Sequence, residues 1–205
     1  VRRRDVLVSI DLIRQILAKM PRTGALMAEV PNVLHWKIPR GETYVRGECS
    51  RGEYGYYLVT ATAGHDTTSS STSTAMWALA TQPGLLQRLQ ADPSLIPAFI
   101  DEAIRWASPV KTFMRSVAQD VEVGGRQLKA GDWLMLCYAS ANRDESVFED
   151  PFTFNIDRSP NKHLAFGFGP HLCLGQHLAK MEMRILFEEL LPKLKSVQLT
   201  GEAKL

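Results

Sequence analysis

Phe166-Gly167-Phe168-Gly169-Pro170-His171-Leu172-Cys173-Leu174-Gly175 is the stretch on which the fold turns. A cysteine stands in a glycine-punctuated loop, directly before a segment whose Leu174, Leu178, Met181 and Ile185 recur at helical spacing and predict an apolar face. A helix N-terminus carries partial positive charge and unpaired N–H groups, which stabilise a thiolate. Glycines let the backbone pass close to a flat, bulky ligand. By spacing alone, His171-x-Cys173-x3-His177 offers three zinc donors. No fourth donor stands nearby, and zinc leaves the Phe and Gly pattern unexplained. A third reading is a buried, inert thiol.

Working outward, the cysteine helix runs to about Leu191, before Pro192. Upstream, residues 151–173 lack periodicity and read as a long ordered loop, the kind that usually carries function. A short helix is expected around 140–148 and a strand from Trp133 to Ala139. Val121-Glu122-Val123 and Arg126-Gln127-Leu128, joined by Gly124-Gly125, read as a hairpin. Two helices are expected at 84–91 and 94–107, the second opened by Asp92-Pro93-Ser94. The hydroxyl run Thr67–Thr74 reads as a linker by composition. Yet Ala75-Met76-Trp77-Ala78-Leu79-Ala80 follows without a breaker, so a helix of small residues packed against something flat is the rival reading. Tyr56-Tyr57-Leu58-Val59 and Thr43-Tyr44-Val45 are strand-like, within a region (21–55) punctuated by Pro and Gly. Residues 5–20 place Val6, Ile10, Ile13 and Leu17 on one helical face.

The chain has 205 residues, is 45% hydrophobic and 22% charged, and carries a net charge of +2. That balance, without a long basic block, argues against a nucleic-acid partner. Cys49, Cys137 and Cys173 are odd in number and far apart, which speaks for a reducing compartment rather than a disulfide framework. The longest apolar runs, such as Trp133 to Cys137, are far too short to span a bilayer. Val1-Arg2-Arg3-Arg4-Asp5 lacks the apolar stretch of a signal peptide, and a start without Met reads as an incomplete gene product.

The pattern Phe166-x-x-Gly169-x-His171-x-Cys173-x-Gly175 strongly resembles the haem-thiolate loop of the cytochrome P450 family. The resemblance implies that Cys173 is the proximal ligand of the iron of haem b (iron protoporphyrin IX), a thiolate that favours O–O cleavage. It also implies that Phe166, Gly169 and Gly175 shape the loop around the cofactor. Glu102-x-x-Arg105 matches the family's Glu-x-x-Arg pair, and Phe154-x-x-x-Arg158 looks like its arginine partner; the resemblance implies a buried, structural ion network that holds the haem-side core. Taken alone, such a pair is more often surface decoration. Ala63-Gly64-His65-Asp66-Thr67-Thr68 resembles the oxygen-binding groove of the family's central helix. There Ala63 and Gly64 leave room beside the cofactor, and Asp66 and Thr67 are the catalytic proton-handling pair. Thr67 is able to bond back to the preceding turn and open the helix locally. Alone, the same residues would read as a cap. Arg115 and His171 resemble the groups that pair with haem propionates, where an arginine fork suits a carboxylate. Val110 and Thr112 face substrate by the same resemblance.

The cytochrome resemblance covers residues 60–205. It implies a mainly α fold with small β-sheets, the incomplete C-terminal haem-binding part of that family's fold. The family's central helix should extend several turns before Ala63, whereas Gly47, Gly52 and Gly55 predict an interruption. Residues 1–59 instead resemble the D-type subunit of respiratory NADH–quinone oxidoreductase, through Gly24–Pro31, Pro39–Arg46 and Ser50–Val59. The chain therefore reads as a chimera with its junction between Tyr56 and Thr62. The implied activity is monooxygenation: insertion of one oxygen atom from O₂ into a small apolar organic substrate. Electrons would come from a ferredoxin or flavodoxin-type donor meeting the face near Cys173, where Lys162, Lys180 and Arg184 offer basic contacts. The implied location is cytoplasmic, with no membrane span. The rival reading is a non-catalytic fragment of a respiratory complex with an inert cytochrome-like tail.

Overall fold

The computed structural model describes residues 51–201. The helix expected at 5–20, the punctuated stretch up to residue 50 with its Thr43–Val45 strand, and His35 and Cys49 lie outside the described residues. The chain divides into two compact units, Val1–His65 and Asp66–Leu205.

Helix α1 spans Arg51–Thr81 and runs unbroken through Thr67 and the hydroxyl run. Two expectations are thereby corrected. The strand-like Tyr56–Val59 is helical, and the helix begins at Arg51 in spite of Gly52 and Gly55. Strand preference in a four-residue run depends on partners, whereas helix elongation adds one bond per residue once a nucleus exists. The hydroxyls contribute inside the helix: Ser71 Oγ donates to the Thr67 carbonyl at 3.0 Å and Thr81 Oγ1 to the Trp77 carbonyl at 2.8 Å.

Pro83-Gly84 ends α1, and Gly84, at φ 78°, opens α2 (Leu85–Ala91). Asp92 then stops α2 and caps the next segment, accepting the Ser94 N–H at 3.0 Å. A 3₁₀ turn, Pro93–Leu95, leads into α3 (Ile96–Ala107). Ile96, Phe99, Ile100, Ala103, Ile104 and Ala107 recur on one face and are buried. Ser108 closes α3 in the left-handed region (φ 40°), its N–H bonded to the Ile104 carbonyl at 2.9 Å.

Four short strands follow: β1 (Thr112–Ser116), β2 (Val121–Val123), β3 (Arg126–Leu128) and β4 (Trp133–Cys137). They form two separate antiparallel pairs, β1 with β4 and β2 with β3. The β2–β3 turn has Gly124 and Gly125 at φ 57° and 75°, the mirror-image turn that fits strand twist. In the β1–β4 pair Phe113 opposes Leu136 and Arg115 opposes Leu134, while Met114 opposes Met135 on the other face. The expected strand ends at Cys137 rather than Ala139. The expected helix is shorter and earlier, α4 at Tyr138–Ala141, with turns through residue 150.

The long segment to Cys173 is irregular except for a 3₁₀ turn at Gly169–His171. Helix α5 spans Gln176–Leu190, followed by a 3₁₀ turn at Leu191–Lys193. Its buried residues are Met183, Phe187 and Leu190, so the expected apolar face is corrected. Leu174 is 94% exposed and Leu178 43%, with Met181 and Ile185 half-buried. The helix carries two apolar stripes at helical spacing, and periodicity alone does not say which one meets the core. The stripe that does packs on α3 with Phe99 and Phe187 edge to face, 5.2 Å between centroids. Phe154 joins Phe99 and Trp106, and Trp77 of α1 stacks on Trp106 at 5.9 Å. The architecture is helix-rich with small antiparallel sheets.

Candidate functional site

The site is built on the core just described. Glu102 and Arg105 lie on the second face of α3, and both are wholly buried. Arg105 Nε donates to Glu102 Oε2 at 2.8 Å and Nη2 to Oε1 at 2.7 Å, a parallel fork. Arg105 Nη1 also donates to the carbonyls of Asn142 (2.7 Å) and Pro151 (2.9 Å). Arg158 Nε stands 3.5 Å from Glu102 Oε2, and its Nη1 donates to the Glu149 carbonyl at 2.6 Å. The Asn155 N–H and Asn161 Nδ2 complete the carboxylate's shell at 2.8 and 3.0 Å. The structure thus brings Glu102, Arg105 and Arg158 together, with every carboxylate oxygen doubly bonded. A buried charge is tolerated only when satisfied in this way.

Asn142, also wholly buried, extends this network toward the cysteine loop and carried no signal in the sequence. Its Nδ2 donates to Ser108 Oγ at 2.8 Å, and its Oδ1 accepts the Leu164 N–H at 2.6 Å. From Leu164 the chain turns sharply: the Gly167 N–H bonds back to the Leu164 carbonyl at 2.9 Å. The Cys173 N–H then donates to the Phe166 carbonyl at 2.9 Å, closing the loop on itself. Gly167 and Gly169 sit at φ 75° and 70°, which explains glycine at both. A Cβ at Gly167 would lie 3.6 Å from Tyr138 Oη and 3.5 Å from the His171 carbonyl oxygen, so α4 abuts the loop.

Cys173 is exposed and free of disulfide partners, as is Cys137. Gly175 N-caps α5 without a side-chain bond, and the Gln176 N–H reaches the Cys173 carbonyl at 3.3 Å. Among the described residues no three His, Cys, Asp or Glu side chains cluster as a metal site, so His171, Cys173 and His177 do not converge as zinc ligands. Of the residues flanking Cys173 in the chain, Phe168 is 85% exposed and Leu172, Leu174 and Leu178 are exposed, with His171 and His177 exposed among them. Phe113 of β1 is exposed too, and its ring meets Tyr138 at 6.3 Å, beside the loop. Arg115 shares the Phe113 face of β1. Its guanidinium lies over the Phe113 ring at 5.4 Å, and its Nη1 donates to the Met114 carbonyl at 2.9 Å. An exposed thiol amid uncovered apolar side chains, with an arginine fork at the border, is a donor set that fits a flat apolar group bearing carboxylates.

The remaining expected residues are placed as follows. His171 is exposed in its 3₁₀ turn, Val110 is half-buried, and Thr112 is exposed at the start of β1. On α1, Ala63, Gly64 and Asp66 are exposed and Thr67 half-buried. A Cβ on Gly64 would meet no atom within 4 Å. Lys180 is not a free surface cation, since its Nζ lies 2.7 Å from Asp101 Oδ1. Arg184 pairs with Glu188 at 3.8 Å, and Lys162 is exposed. Among the described residues no helix is long and apolar enough to cross a membrane.

Comparison with known proteins shows the family. The family profile described as Cytochrome P450 matches residues 57–202. The chain is 59% identical over 150 residues to Cytochrome P450-terp of a Pseudomonas species, covering 73% of this chain and 35% of that protein. It is 37% identical over 205 residues to the methyl-branched lipid omega-hydroxylase of Mycobacterium bovis, covering 97% of this chain and 48% of that one. The crystal structure of CYP108D1 from Novosphingobium aromaticivorans superposes with a TM-score of 0.70 at 52% identity, over 72% of this chain and 36% of that one. The chain thus spans between a third and a half of the length of these relatives.

Proposed function

The chain belongs to the cytochrome P450 family, and on that premise we propose that it is the haem-binding part of a monooxygenase. The observation that carries this reading is Cys173, exposed in a glycine-shaped loop beside an uncovered apolar surface. In the proposal Cys173 holds the iron of haem b as a thiolate. Phe166, Gly169 and Gly175 shape its loop, and Arg115 and His171 hold the propionates. When bound, the haem supplies the O₂ chemistry that no side chain provides.

The chain's own residues then have separable tasks. With the haem seated on them, Leu172, Leu174 and Phe168 would keep water from the thiolate side, which would strengthen every charge interaction there. Asp66 and Thr67 hold and pass protons on the oxygen side, a general-acid task. Ala63 and Gly64 keep α1 slim beside the cofactor, and Val110 and Thr112 border the substrate. Glu102, Arg105 and Arg158 hold the scaffold. One oxygen atom of O₂ enters a small apolar substrate and the other leaves as water. Electrons come from a ferredoxin or flavodoxin-type donor. The free Cys137 and Cys173 support a reducing, cytoplasmic setting.

The deciding experiment is a haem titration of the purified chain, followed by reduction and carbon monoxide. A red-shifted Soret band of the thiolate type is expected, and Cys173→Ser should abolish it. Identical spectra from the two proteins would overturn the ligand assignment.

We also propose the two-part division, 1–59 resembling the D-type subunit of NADH–quinone oxidoreductase and 60–205 the cytochrome region. It rests on the resemblance carried by Gly24–Pro31, Pro39–Arg46 and Ser50–Val59 and on the change of composition near Thr60. The lipid hydroxylase alignment extends into that stretch, so the gene decides. One uninterrupted DNA molecule from the source organism carrying the join would show a natural gene rather than an artificial chimera.

A further inference from the structure

Asp101 lies on α3 beside the buried Glu102 but faces outward, toward α5 and the cysteine loop. Lys180 of α5 brings its Nζ to 2.7 Å from Asp101 Oδ1, as an ion pair rather than an aligned hydrogen bond. His163 Nε2 stands 3.8 Å from the same oxygen. His163 Nδ1 accepts the Ala165 N–H at 3.3 Å, so in the neutral ring Nε2 carries the proton and directs it at Asp101. The carboxyl is costly to bury, yet His163 and Lys180 together hold its pKa below the ordinary value.

Both partners of Asp101 also meet one aromatic ring. Lys180 Nζ lies 5.7 Å from the Phe166 centroid, and the His163 ring lies 5.8 Å from it. Phe166 is the residue whose carbonyl accepts the Cys173 N–H. One carboxylate therefore holds two groups against the ring, and the ring's own backbone is bonded to the cysteine.

We propose that Asp101, through Lys180 and His163, is a positioning residue for Phe166 and thereby for the cysteine loop. It touches neither ligand nor cofactor; it fixes the side chain whose backbone anchors Cys173. On this assignment Lys180 serves the loop from within, rather than being a basic contact left free for a partner. The cluster matters to catalysis only if Cys173 is the haem ligand, as proposed above. Its test needs no haem, so the two readings fail separately.

Amide hydrogen exchange of the full 205-residue chain reads the loop directly. Lys180→Gln loses a half-exposed ion pair and a cation–ring contact, and Asp101→Asn frees Lys180 and His163 from the carboxylate that holds them; each is expected to speed exchange of the Cys173 amide about fivefold to tenfold. Lys180→Arg, which keeps both interactions, should stay at the original rate. Amides in the buried part of α3, Phe99 to Ile104, should be unchanged in all three. Two results would overturn the assignment. One is a Cys173 amide within twofold of the original chain in both neutral variants. The other is acceleration of the α3 amides in parallel, which would make the ion pair a general brace between α3 and α5.

Discussion

Replacing Glu102 with glutamine tests the scaffold at its most demanding point. Glu102 Oε1 accepts from Arg105 Nη2 and the Asn155 N–H, and Oε2 accepts from Arg105 Nε and Asn161 Nδ2. Glutamine has one acceptor oxygen, so in either orientation its amide nitrogen confronts two donors. Two bonds are lost, and Arg105 is left buried without its counter-charge. Hydrogen bonds to charged groups contribute about 1.5–3 kcal/mol each, and breaking a buried pair costs about 3–5 kcal/mol. A loss of about 4 kcal/mol is therefore expected, against a total of about 5–15 kcal/mol for a typical domain. Urea unfolding followed by circular dichroism measures it, and the midpoint should fall by about 2 M if the slope stays near 2 kcal/mol per M. A shift below about 0.5 M, at unchanged slope, would mean that water or side-chain movement satisfies the neutral group, and the reasoning from buried charge would fail.

Three further outcomes are expected. Phe187→Ala removes a wholly buried ring from between α3 and α5 and should cost about 3–5 kcal/mol in the same urea assay. Gly167→Ala meets only ordinary contacts, at 3.5 and 3.6 Å, but must hold φ near 75°; scanning calorimetry should show a loss of about 1–2 kcal/mol from backbone strain alone. Asp101 contributes stability that is complete above its unfolded value of 3.8 and fades as pH falls through the lower folded value. Urea midpoints of Asp101→Asn and the original chain, measured from neutral to acid, should therefore converge at low pH.

Local sequence signals identify α2, α3, α5 and the Gly-Gly hairpin. For α3 the signal is the start at Asp92-Pro93-Ser94, whereas its buried face, Ile96 to Ala107, is seen in the structure. It failed where tertiary partners decide. Tyr56–Val59 has a strand's composition but belongs to a long helix. On α5 two apolar stripes compete, and only the packing of Phe187 on Phe99 selects the buried one. The site residues show the same division. Glu102 and Arg105 are three apart on one helix, so their pairing was readable, while their burial was implied only by the family resemblance. Asn142 is 34 residues from Ser108 and 22 from Leu164, and no local pattern announces bonds of that reach.

The two stripes of α5 also explain why the thiol lies open. One stripe closes the core through Phe187 and Met183, in the cluster against which Phe166 of the loop also packs. The other continues from Leu174 and Leu178 into the exposed surface around Cys173. The β1–β4 pair repeats this pattern, with Phe113 and Leu136 exposed on one face and Met114 and Met135 on the other. A two-stranded pair with both faces open is marginal by itself. Its order must come from its flanks: Ser108 at the end of α3 before β1, and Asn142 just after α4. Those two side chains are bonded to each other. The buried polar network thus does for the uncovered surface what apolar packing does for the core. It holds the cysteine loop and its neighbouring strands in place while their apolar side chains stay available to a ligand.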